Sequence, residues 1–359
     1  MKKVFYLTNI FPLYRESIWR LLRDEKKYDF HFFFSNQDLS GIKSNNSSHH
    51  NKYHEIKNHF FLGRLIWQSK FLKKLISNKP DILILLGEMN IISNWILAIF
   101  GRLFRTKVYY WGHGIYGNES FLKRLFRILF LKLASGHILY GEWAKTKLIH
   151  NGFDKEKLHV VYNSLNYDSQ KKHFEKLLKK KKEIKVFKLI FVGRLTKTKK
   201  IDQLLIALRK ISNQIKFELN IVGDGYEKSY LIHLKNELGL SNINFLGPIY
   251  DEQIISELIF NSNVCVSPGN IGLTAMHSLS YGTPVITHND FKNQMPEAES
   301  ITENINGLFF KKDYIEDLAE KILKSSEIKF DKHIVRSVID EKYNPNFQKK
   351  IFDNLILKC

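Results

Sequence analysis

The chain has 359 residues, 44% of them hydrophobic, which is enough for two domains of ordinary size, each with its own core. This composition excludes a peptide, a collagen and a disordered tail. The 56 Lys and Arg residues outnumber the 36 Asp and Glu residues, and the formal net charge of +20 means that a polyanionic partner must be considered.

The positive charge is unevenly distributed along the chain. Residues 1–168 contain 26 basic and 13 acidic residues, residues 169–188 contain nine lysines and two glutamates, and residues 189–359 contain 21 of each sign. Nucleic acid and an anionic membrane are the two candidate partners. There is no recognised RNA- or DNA-binding motif, and the aromatic residues lie inside apolar runs, so we expect no nucleic acid and favour the membrane.

Short β-rich runs alternate with helical patterns along the whole chain. The predicted strands of the first half are 4–8, 30–34, 82–86, 107–112, 137–141 and 159–163. Those of the second half are 188–193, 218–223, 243–247, 264–268, 284–288 and 307–310. This alternation is typical of parallel sheets with crossover helices, and it predicts an α/β chain with two doubly wound domains.

Composition also predicts where the domains end. We expect an N-terminal domain at 1–168, a basic linker at 169–187 whose lysine-rich part is either an exposed helix or irregular, and a second domain at 188–340. A C-terminal helix at 341–359 is expected to pack back on the N-terminal domain. The Ser- and Asn-rich segment 41–52 is expected to be a flexible loop of the first domain.

The cysteines and the apolar stretches bear on the compartment. Cys265 and Cys359 have no spacing that suits a disulfide framework or a metal site, which favours a reducing compartment. The first 15 residues resemble a β-strand rather than a signal peptide. The apolar stretch 81–104 is interrupted by polar residues, so we expect no membrane-spanning helix and a cytoplasmic protein.

Ligands of open α/β sheets bind beyond the carboxyl ends of strands, so the residues there are the candidates for a site. Gly193 ends one predicted strand, and Arg194 and Lys199 follow it ahead of an amphipathic helix. Two cations beside helix amides can bind a diphosphate, while a solvated basic loop is the equal alternative. Gly223 and Gly225 mark a second, weaker glycine turn at the next strand end.

A glycine-rich loop follows the predicted strand at 264–268. It contains Gly269 and Gly272, and a helix is predicted to start near Leu273. Backbone amides at such a helix start can hold a phosphate without any side chain. His277 falls on the first turns of this helix, close to any nucleotide bound there.

Five segments in this order resemble the C-terminal domain of GT-B glycosyltransferases of the family 4 type. They are VGRLTKTKK (192–200), NIVGDGYE (220–227), NFLGPI (244–249), VSPGNIGLTAMHSLSYGTPVI (266–286) and ESITENINGLFF (299–310). The resemblance implies two Rossmann-like domains facing a cleft, with a nucleotide-sugar donor in the second domain and an acceptor in the first. It also implies transfer with retention of configuration and no metal or cofactor.

The resemblance assigns donor-site residues by position. Arg194 and Lys199 match the family's diphosphate-binding pair, and Glu299 matches the glutamate that precedes a closing glycine. The other implied donor-site residues are Gly193, Gly223, Gly269, Asn270, Ile271, Gly272, Leu273, Thr274 and His277.

The sequence departs from the family at its E-x7-E element. The two glutamates of that element fall on Gly269 and His277. The second glutamate of the family accepts hydrogen bonds from ribose hydroxyls. A neutral imidazole can accept one such bond but is not a carboxylate.

The first half carries candidate catalytic residues at two strand ends. His113 lies between Gly112 and Gly114, where similar proteins place a histidine beside the transferred sugar. The alternative is a turn histidine bonded to backbone. Glu88 follows Gly87 and is either an acceptor contact or base, or the cap of the next helix.

Arg15 follows the first predicted strand, where the family has a glycine pair. It is a candidate for binding a phosphate of the donor or the acceptor, and a surface arginine is the alternative.

Two basic segments, 60–76 and 120–133, have the pattern of interfacial amphipathic helices. Each alone also fits a crossover helix with one buried side. Combined with the charge of the first half and the lysine run at 179–182, they predict binding to an anionic membrane surface.

Together these features predict a glycosyltransferase, peripheral on the cytoplasmic face of the inner membrane. It would move a sugar from a nucleotide-diphosphate donor to a hydroxyl of a lipid-linked or growing surface glycan of the capsule, O-antigen or lipopolysaccharide type. Three alternatives stay open. They are a sugar-nucleotide epimerase or phosphorylase, an inactive nucleotide-sugar-binding partner, and a nucleic-acid-binding protein acting through the basic half.

Overall fold

The structure, a computed structural model, describes residues 1–35, 50–117, 119–180 and 186–358. It divides into two compact units. Unit 1 consists of Met1–Asn166 with Pro345–Cys359, and unit 2 consists of Tyr167–Asn344. Residues 41–49 of the loop predicted at 41–52 lie outside the described residues.

Unit 1 is built on a seven-stranded parallel sheet and a separate antiparallel hairpin. Its strands, numbered in chain order, are β1 (Lys2–Leu7), β2 (Tyr28–Phe34), β3 (Tyr53–Glu55), β4 (Lys57–Phe61), β5 (Leu65–Ser69), β6 (Ile82–Leu86), β7 (Lys107–Gly112), β8 (Gly136–Leu139) and β9 (Leu158–Val160). The sheet order is β3-β2-β1-β6-β7-β8-β9, and β4 pairs with β5. The strand order therefore reverses between β1 and β6.

Helices cover this sheet. They are α1 (Glu16–Arg23), α2 (Phe71–Asn78), α3 (Ile92–Leu103), α4 (Phe121–Leu131), α5 (Glu142–His150) and the last helix of the chain, α13 (Pro345–Lys358). The core is rich in aromatic residues because alternate positions of β2, Phe30, Phe32 and Phe34, face the same side of the sheet. Phe352 of α13 is fully buried in this core, 5.1 Å from the Trp111 ring, so the C-terminal helix is part of unit 1.

Unit 2 is a second doubly wound domain with a six-stranded parallel sheet. Its strands are β10 (Phe187–Val192), β11 (Phe217–Val222), β12 (Ile243–Gly247), β13 (Val264–Ser267), β14 (Val285–His288) and β15 (Gly307–Phe310). Its helices are α6 (Tyr167–Leu178), α7 (Ile201–Ile211), α8 (Lys228–Glu237), α9 (Glu252–Phe260), α10 (Leu273–Ser280), α11 (Ile315–Glu327) and α12 (Lys332–Glu341). The strand order β12-β11-β10-β13-β14-β15 is that of the Rossmann fold.

Two predicted segments differ in the structure. The helix predicted over 60–76 begins only at α2, because its first part is the β4–β5 hairpin, whose turn contains Gly63 at φ +70°. The first part of the basic linker predicted at 169–187 is α6, and it packs on α9 and α10. Its buried Gln170, Phe174 and Leu177 recur at helical spacing, while its lysines lie on other faces. Residues 181–185 lie outside the described part.

No helix in the described part of the chain combines the length and the apolar character needed to cross a bilayer.

Candidate functional site

The strand order of unit 2 reverses between β10 and β13, the place where open α/β sheets bind ligands. The loop after β10 contains Lys199, and the loop after β13 contains Gly269 and Asn270. The amide of Gly269 donates to the Lys199 carbonyl at 3.0 Å, and Lys199 Nζ donates to the Asn270 carbonyl at 2.6 Å. The structure therefore brings together the lysine and the glycine-rich loop that the sequence singled out.

Gly269 has no room for a side chain. A Cβ atom there would lie 1.9 Å from the Thr198 carbonyl oxygen and 2.7 Å from Lys199 Cα. A glutamate at this position is incompatible with the observed backbone.

The two predicted cations differ in their exposure. Arg194 is exposed, while Lys199 is half-buried. Burial, together with the neighbouring charge of Arg194, lowers the pKa of Lys199. Both effects disfavour an unpaired positive charge, so a bound anion would stabilise this part of the site.

The other predicted glycines of this edge bring two loops together. At Gly223, where φ is +141°, a Cβ atom would lie 1.8 Å from the Gly193 carbonyl oxygen. The loop after β11 is therefore in direct backbone contact with the loop after β10, and the Gly193–Lys199 loop is held from one side.

The start of α10 is fixed by side chains. Thr274 Oγ1 donates to the Val192 carbonyl at 3.0 Å, joining the helix to the end of β10. The Ile271 amide donates to Gln294 Oε1 at 2.7 Å. Gly272 caps the helix, and the amides of Leu273 and Thr274 that follow it lack helical acceptors, while the Ala275 amide donates to the Gly272 carbonyl at 2.9 Å. The Leu273 and Thr274 amides remain suitable donors to an anion.

Glu297 is a residue of this region that the sequence analysis did not single out. It is buried, its Oε2 lies 3.8 Å from the position of a Cβ on Gly272, and its charge acts on Lys199. Glu299, the predicted glutamate, is half-buried in the same short helical turn. The sequence signal for Glu297 was that it is a second glutamate, two positions before Glu299.

His277 has a carboxylate partner from another element. Its Nε2 lies 3.0 Å from Glu252 Oε1, at the first residue of α9. The Tyr281 hydroxyl and the Gln170 amide also donate to this oxygen. Burial works to raise the pKa of Glu252, but these hydrogen bonds outweigh it and the pKa is lowered. A carboxylate is therefore present beside position 277 although the residue there is histidine.

Unit 1 brings Glu88 and His113 into one cluster at the ends of β6 and β7. The Tyr116 hydroxyl donates to Glu88 Oε1 at 3.0 Å, and its ring centroid lies 5.6 Å from that of His113. Burial raises the pKa of Glu88, and the hydrogen bond from Tyr116 offsets part of the rise. Burial, with Arg15 and Arg127 nearby, lowers the pKa of His113 to about 4, so its imidazole is neutral at pH 7.

Arg15 belongs to the same cluster. It is buried, not on the surface, and its Nη2 donates to the Tyr140 hydroxyl at 2.7 Å. The Tyr140 ring centroid lies 4.9 Å from that of His113. Tyr116 and Tyr140 were not singled out from the sequence, although Tyr140 precedes a glycine at a strand end, as other candidates do.

Comparison with solved structures identifies the class of fold. The chain is similar to a lipopolysaccharide outer core galactosyltransferase, WaaB, at a TM-score of 0.75 and 16% identity over 100% of both chains. It is similar to Anabaena HepE, solved with UDP, at a TM-score of 0.70 and 18% identity over 99% of both chains. The expected GT-B glycosyltransferase fold is confirmed.

Sequence comparisons identify the family of the second unit. Residues 168–336 match the family Glycosyl transferases group 1. An uncharacterized 41.2 kDa protein in the cps region of Klebsiella pneumoniae is 27% identical over 162 residues, 44% of this chain and 42% of the relative. An uncharacterized glycosyltransferase of Methanocaldococcus jannaschii is 30% identical over 144 residues, 37% of this chain and 36% of the relative. The chain spans about two fifths of the length of these curated relatives.

Proposed function

We propose that the chain is a glycosyltransferase that moves a sugar from a nucleoside-diphosphate sugar to a hydroxyl group of a surface-glycan precursor. The observation that carries this proposal is the placement of Lys199 against the glycine-rich loop at the point of unit 2 where the strand order reverses. Arg194 and the start of α10 border the same place. The family match of residues 168–336 supports it.

In the proposed reaction the bond between the anomeric carbon and the diphosphate oxygen breaks, and a bond to the acceptor oxygen forms. The acceptor proton passes to the leaving diphosphate. Lys199, Arg194 and the first amides of α10 stabilise the negative charge that develops on the diphosphate. These fixed charges are of the kind that a bound metal would otherwise supply, so we propose a metal-independent, cofactor-free reaction that retains configuration, as the family resemblance implies.

In unit 1 we propose that Glu88 and His113 bind the acceptor. Burial raises the pKa of Glu88, and its carboxyl group can hydrogen-bond a hydroxyl of the acceptor. The neutral imidazole of His113 can donate one hydrogen bond and accept another, as a sugar hydroxyl requires.

We propose that the acceptor is lipid-linked and that the enzyme binds the cytoplasmic face of an anionic membrane. One relative is a protein of a cps region, and one similar structure is a lipopolysaccharide outer core galactosyltransferase. The supporting surface, here called the α4 surface, has apolar side chains that are 45% to 80% exposed and basic neighbours. Its residues are Phe121, Leu122, Lys123, Arg124, Leu125, Phe126, Leu129 and Lys132.

Charge favours an anionic partner for the α4 surface. Between positions 89 and 141 the chain has seven Lys and Arg residues and a single acidic residue, Glu119. The Glu119 side chain is buried and paired with Arg127 at 2.7 Å. Of the α4 surface it pairs only with Lys123, at 3.9 Å, so Arg124 and Lys132 keep their charge. Apolar side chains that enter a bilayer and cations that meet lipid phosphates act together at such a surface.

A thermal-shift screen over nucleoside diphosphates tests the donor site. We expect at least one of them to raise the unfolding midpoint, because it binds only the folded state. Lys199→Ala should weaken that ligand about tenfold or more, while Lys197→Ala, a neighbouring exposed lysine, should not. Equal affinity in both variants, or no binding to the wild type, would contradict the proposal. Binding without transfer or donor hydrolysis would indicate the inactive partner.

A further inference from the structure

Arg15 of unit 1 is a buried cation with no acidic partner among the described residues. It closes the short turn after β1 and is 8% exposed. Its guanidinium carbon lies 5.1 Å from the ring centroids of Trp111 and Tyr140 and 5.5 Å from that of Tyr14. Its Nη2 donates to the Tyr140 hydroxyl, and its Nε has no hydrogen-bond partner among the described residues.

Such a charge is costly to bury. Arginine stays protonated in proteins, and transferring it from water without a counter-charge costs several kcal/mol. Contacts with aromatic faces offset roughly 0.5 to 2 kcal/mol each, which reduces the cost without neutralising the charge. An anion at this position would both neutralise the charge and satisfy the free Nε.

The surroundings of Arg15 contain further buried donors. Trp111 Nε1 is fully buried and has no hydrogen-bond partner in the described part of the chain, and the Tyr6 hydroxyl, also fully buried, has Thr8 and Arg15 as its polar neighbours. The Tyr6 and Trp111 rings are neighbours, with centroids 5.2 Å apart. The surroundings of Arg15 thus hold buried donors and a positive charge, and no carboxylate among the described residues pairs with its guanidinium.

The position of the cluster in the sheet favours a ligand. The strand order of unit 1 reverses between β1 and β6, and Arg15 follows β1 while Glu88 follows β6. Carboxyl ends of strands at such a reversal are where open α/β sheets bind ligands. The candidate acceptor residue His113 shares the Tyr140 contact with Arg15.

We propose that Arg15 binds an oxyanion, a phosphate or a carboxylate, carried by the acceptor. The inference rests on the proposed glycosyl transfer and specifies its acceptor class as an anionic one, such as a phosphate-linked lipid or an acidic sugar. The guanidinium fork fits either group through two parallel hydrogen bonds.

The test uses a protein whose donor site is already weakened, Lys199→Ala, and follows its unfolding midpoint with sugars of different charge. We expect glucose 1-phosphate, glucuronate or both to raise the midpoint, and uncharged glucose to have no effect. Adding Arg15→Met should abolish the rise, while adding Arg64→Met, at an exposed arginine of unit 1, should preserve it. If only one of the two anionic sugars raises the unfolding midpoint, its anionic group is the oxyanion that Arg15 binds.

Two results would overturn the proposal. One is no response to either anion in Lys199→Ala, and the other is a response that survives Arg15→Met. If Arg15→Met fails to fold, Arg15→Lys replaces it, since a lysine keeps the charge and loses the fork; an unchanged response there also overturns the proposal.

A separate measurement keeps this proposal distinct from the donor site. With Lys199 intact, Arg15→Met should leave the affinity for a nucleoside diphosphate unchanged. A loss as large as that of Lys199→Ala would assign Arg15 to the donor and refute the acceptor assignment. Failure of all nucleotides to bind, with the sugar-anion response present, would refute the proposed donor site alone.

Discussion

Gly269 shows how backbone packing limits the choice of residue at the candidate donor site. A Cβ there would lie 1.9 Å from a backbone oxygen, which cannot move without shifting the Lys199 loop. We expect Gly269→Ala to lower the free energy of unfolding by about 2 kcal/mol or more and to weaken nucleotide binding. Urea denaturation and the nucleotide thermal shift measure the two effects.

Gly239→Ala is the matched control for this substitution. Gly239 has φ +65° and open space around its Cα, so alanine there meets backbone strain of roughly 1 to 2 kcal/mol and no clash. It should leave nucleotide affinity intact. If the two variants lose affinity equally, steric exclusion at Gly269 is not the reason for the glycine.

Glu252 is a second residue whose role follows from its contacts. It accepts hydrogen bonds from Gln170, His277 and Tyr281 and is half-buried. Glu252→Gln removes the charge and one acceptor oxygen at nearly constant volume. We expect a loss of about 1 to 3 kcal/mol in urea unfolding at pH 7.

Glu320→Gln is the matched control, because Glu320 is an exposed glutamate of α11 and its change also removes a carboxylate charge. It should change the free energy of unfolding by less than about 0.5 kcal/mol. Equal effects of the two changes would show that the hydrogen bonds to Glu252 contribute nothing.

Sequence reasoning reached only part of the site, and the reason is positional. Lys199 and the glycine-rich loop follow strands, so the rule for open sheets finds them from local sequence alone. Glu252 contacts His277 from a helix 25 positions earlier, and Tyr116 contacts Glu88 from a loop 28 positions later. Pairings of this kind depend on how elements pack, which local patterns do not encode.

At the scale of elements, short apolar segments with basic residues were ambiguous. Residues 60–76 have the apolar and basic pattern of an amphipathic helix, but Gly63 allows a turn, and β4 and β5 pair across it. The α6 segment was expected as an exposed helix or a linker because of its lysines. It is a helix, but three residues at helical spacing bury one of its faces.

The α4 surface leads to a prediction about membrane binding. We expect the protein to bind vesicles that contain phosphatidylglycerol, weakly or not at all those of phosphatidylcholine alone, and less in high salt. Phe121→Ser combined with Phe126→Ser should reduce binding about tenfold or more, since both side chains are exposed and would enter the bilayer. Vesicle sedimentation measures the fraction of protein that is bound.

Ile254→Ser combined with Ile334→Ser is the matched control, because these side chains of unit 2 are 53% and 55% exposed. Their loss should leave vesicle binding unchanged. Binding that ignores lipid charge, or that both pairs reduce equally, would contradict a specific role of the α4 surface; salt-sensitive binding of RNA at the same residues would favour nucleic acid instead.

For the whole molecule, the alternation of strand and helix patterns predicted two doubly wound units. It did not predict the order of strands within each sheet, since every parallel order is compatible with the same sequence of elements. In both units the first strand lies inside the sheet, next to the strand at which the order reverses. The candidate cations Arg15 and Lys199 each follow that first strand, which is the structural parallel between the two halves.

We expect four buried or half-buried histidines to make the protein sensitive to mild acid. Burial lowers the pKa of His54, His113, His137 and His288 to about 4. In the unfolded chain they titrate near 6.5, so below that pH the unfolded state binds more protons than the folded one. Their contribution to the free energy of unfolding is fully present above about pH 6.5 and is lost progressively as the pH falls toward 4.

We therefore expect urea midpoints that are equal at pH 8 and 7 and fall between pH 6 and 5. Each additional proton bound by the unfolded state adds a slope of about 1.4 kcal/mol per pH unit. Carboxylates with lowered pKa values, such as Glu25 at about 2, contribute mainly at lower pH, because their unfolded pKa is near 4. Histidines are thus the cause of the loss in this window.

Three of the four histidines lie in unit 1, so unit 1 should lose more stability than unit 2 on acidification. His137→Phe removes one of them from a buried position and should reduce the pH slope, whereas His233→Gln, at a side chain 72% exposed, should not. Hydrogen exchange at pH 7 and 5 resolves the two units separately. Equal midpoints at pH 7 and 5, or a greater loss in unit 2, would contradict the assignment.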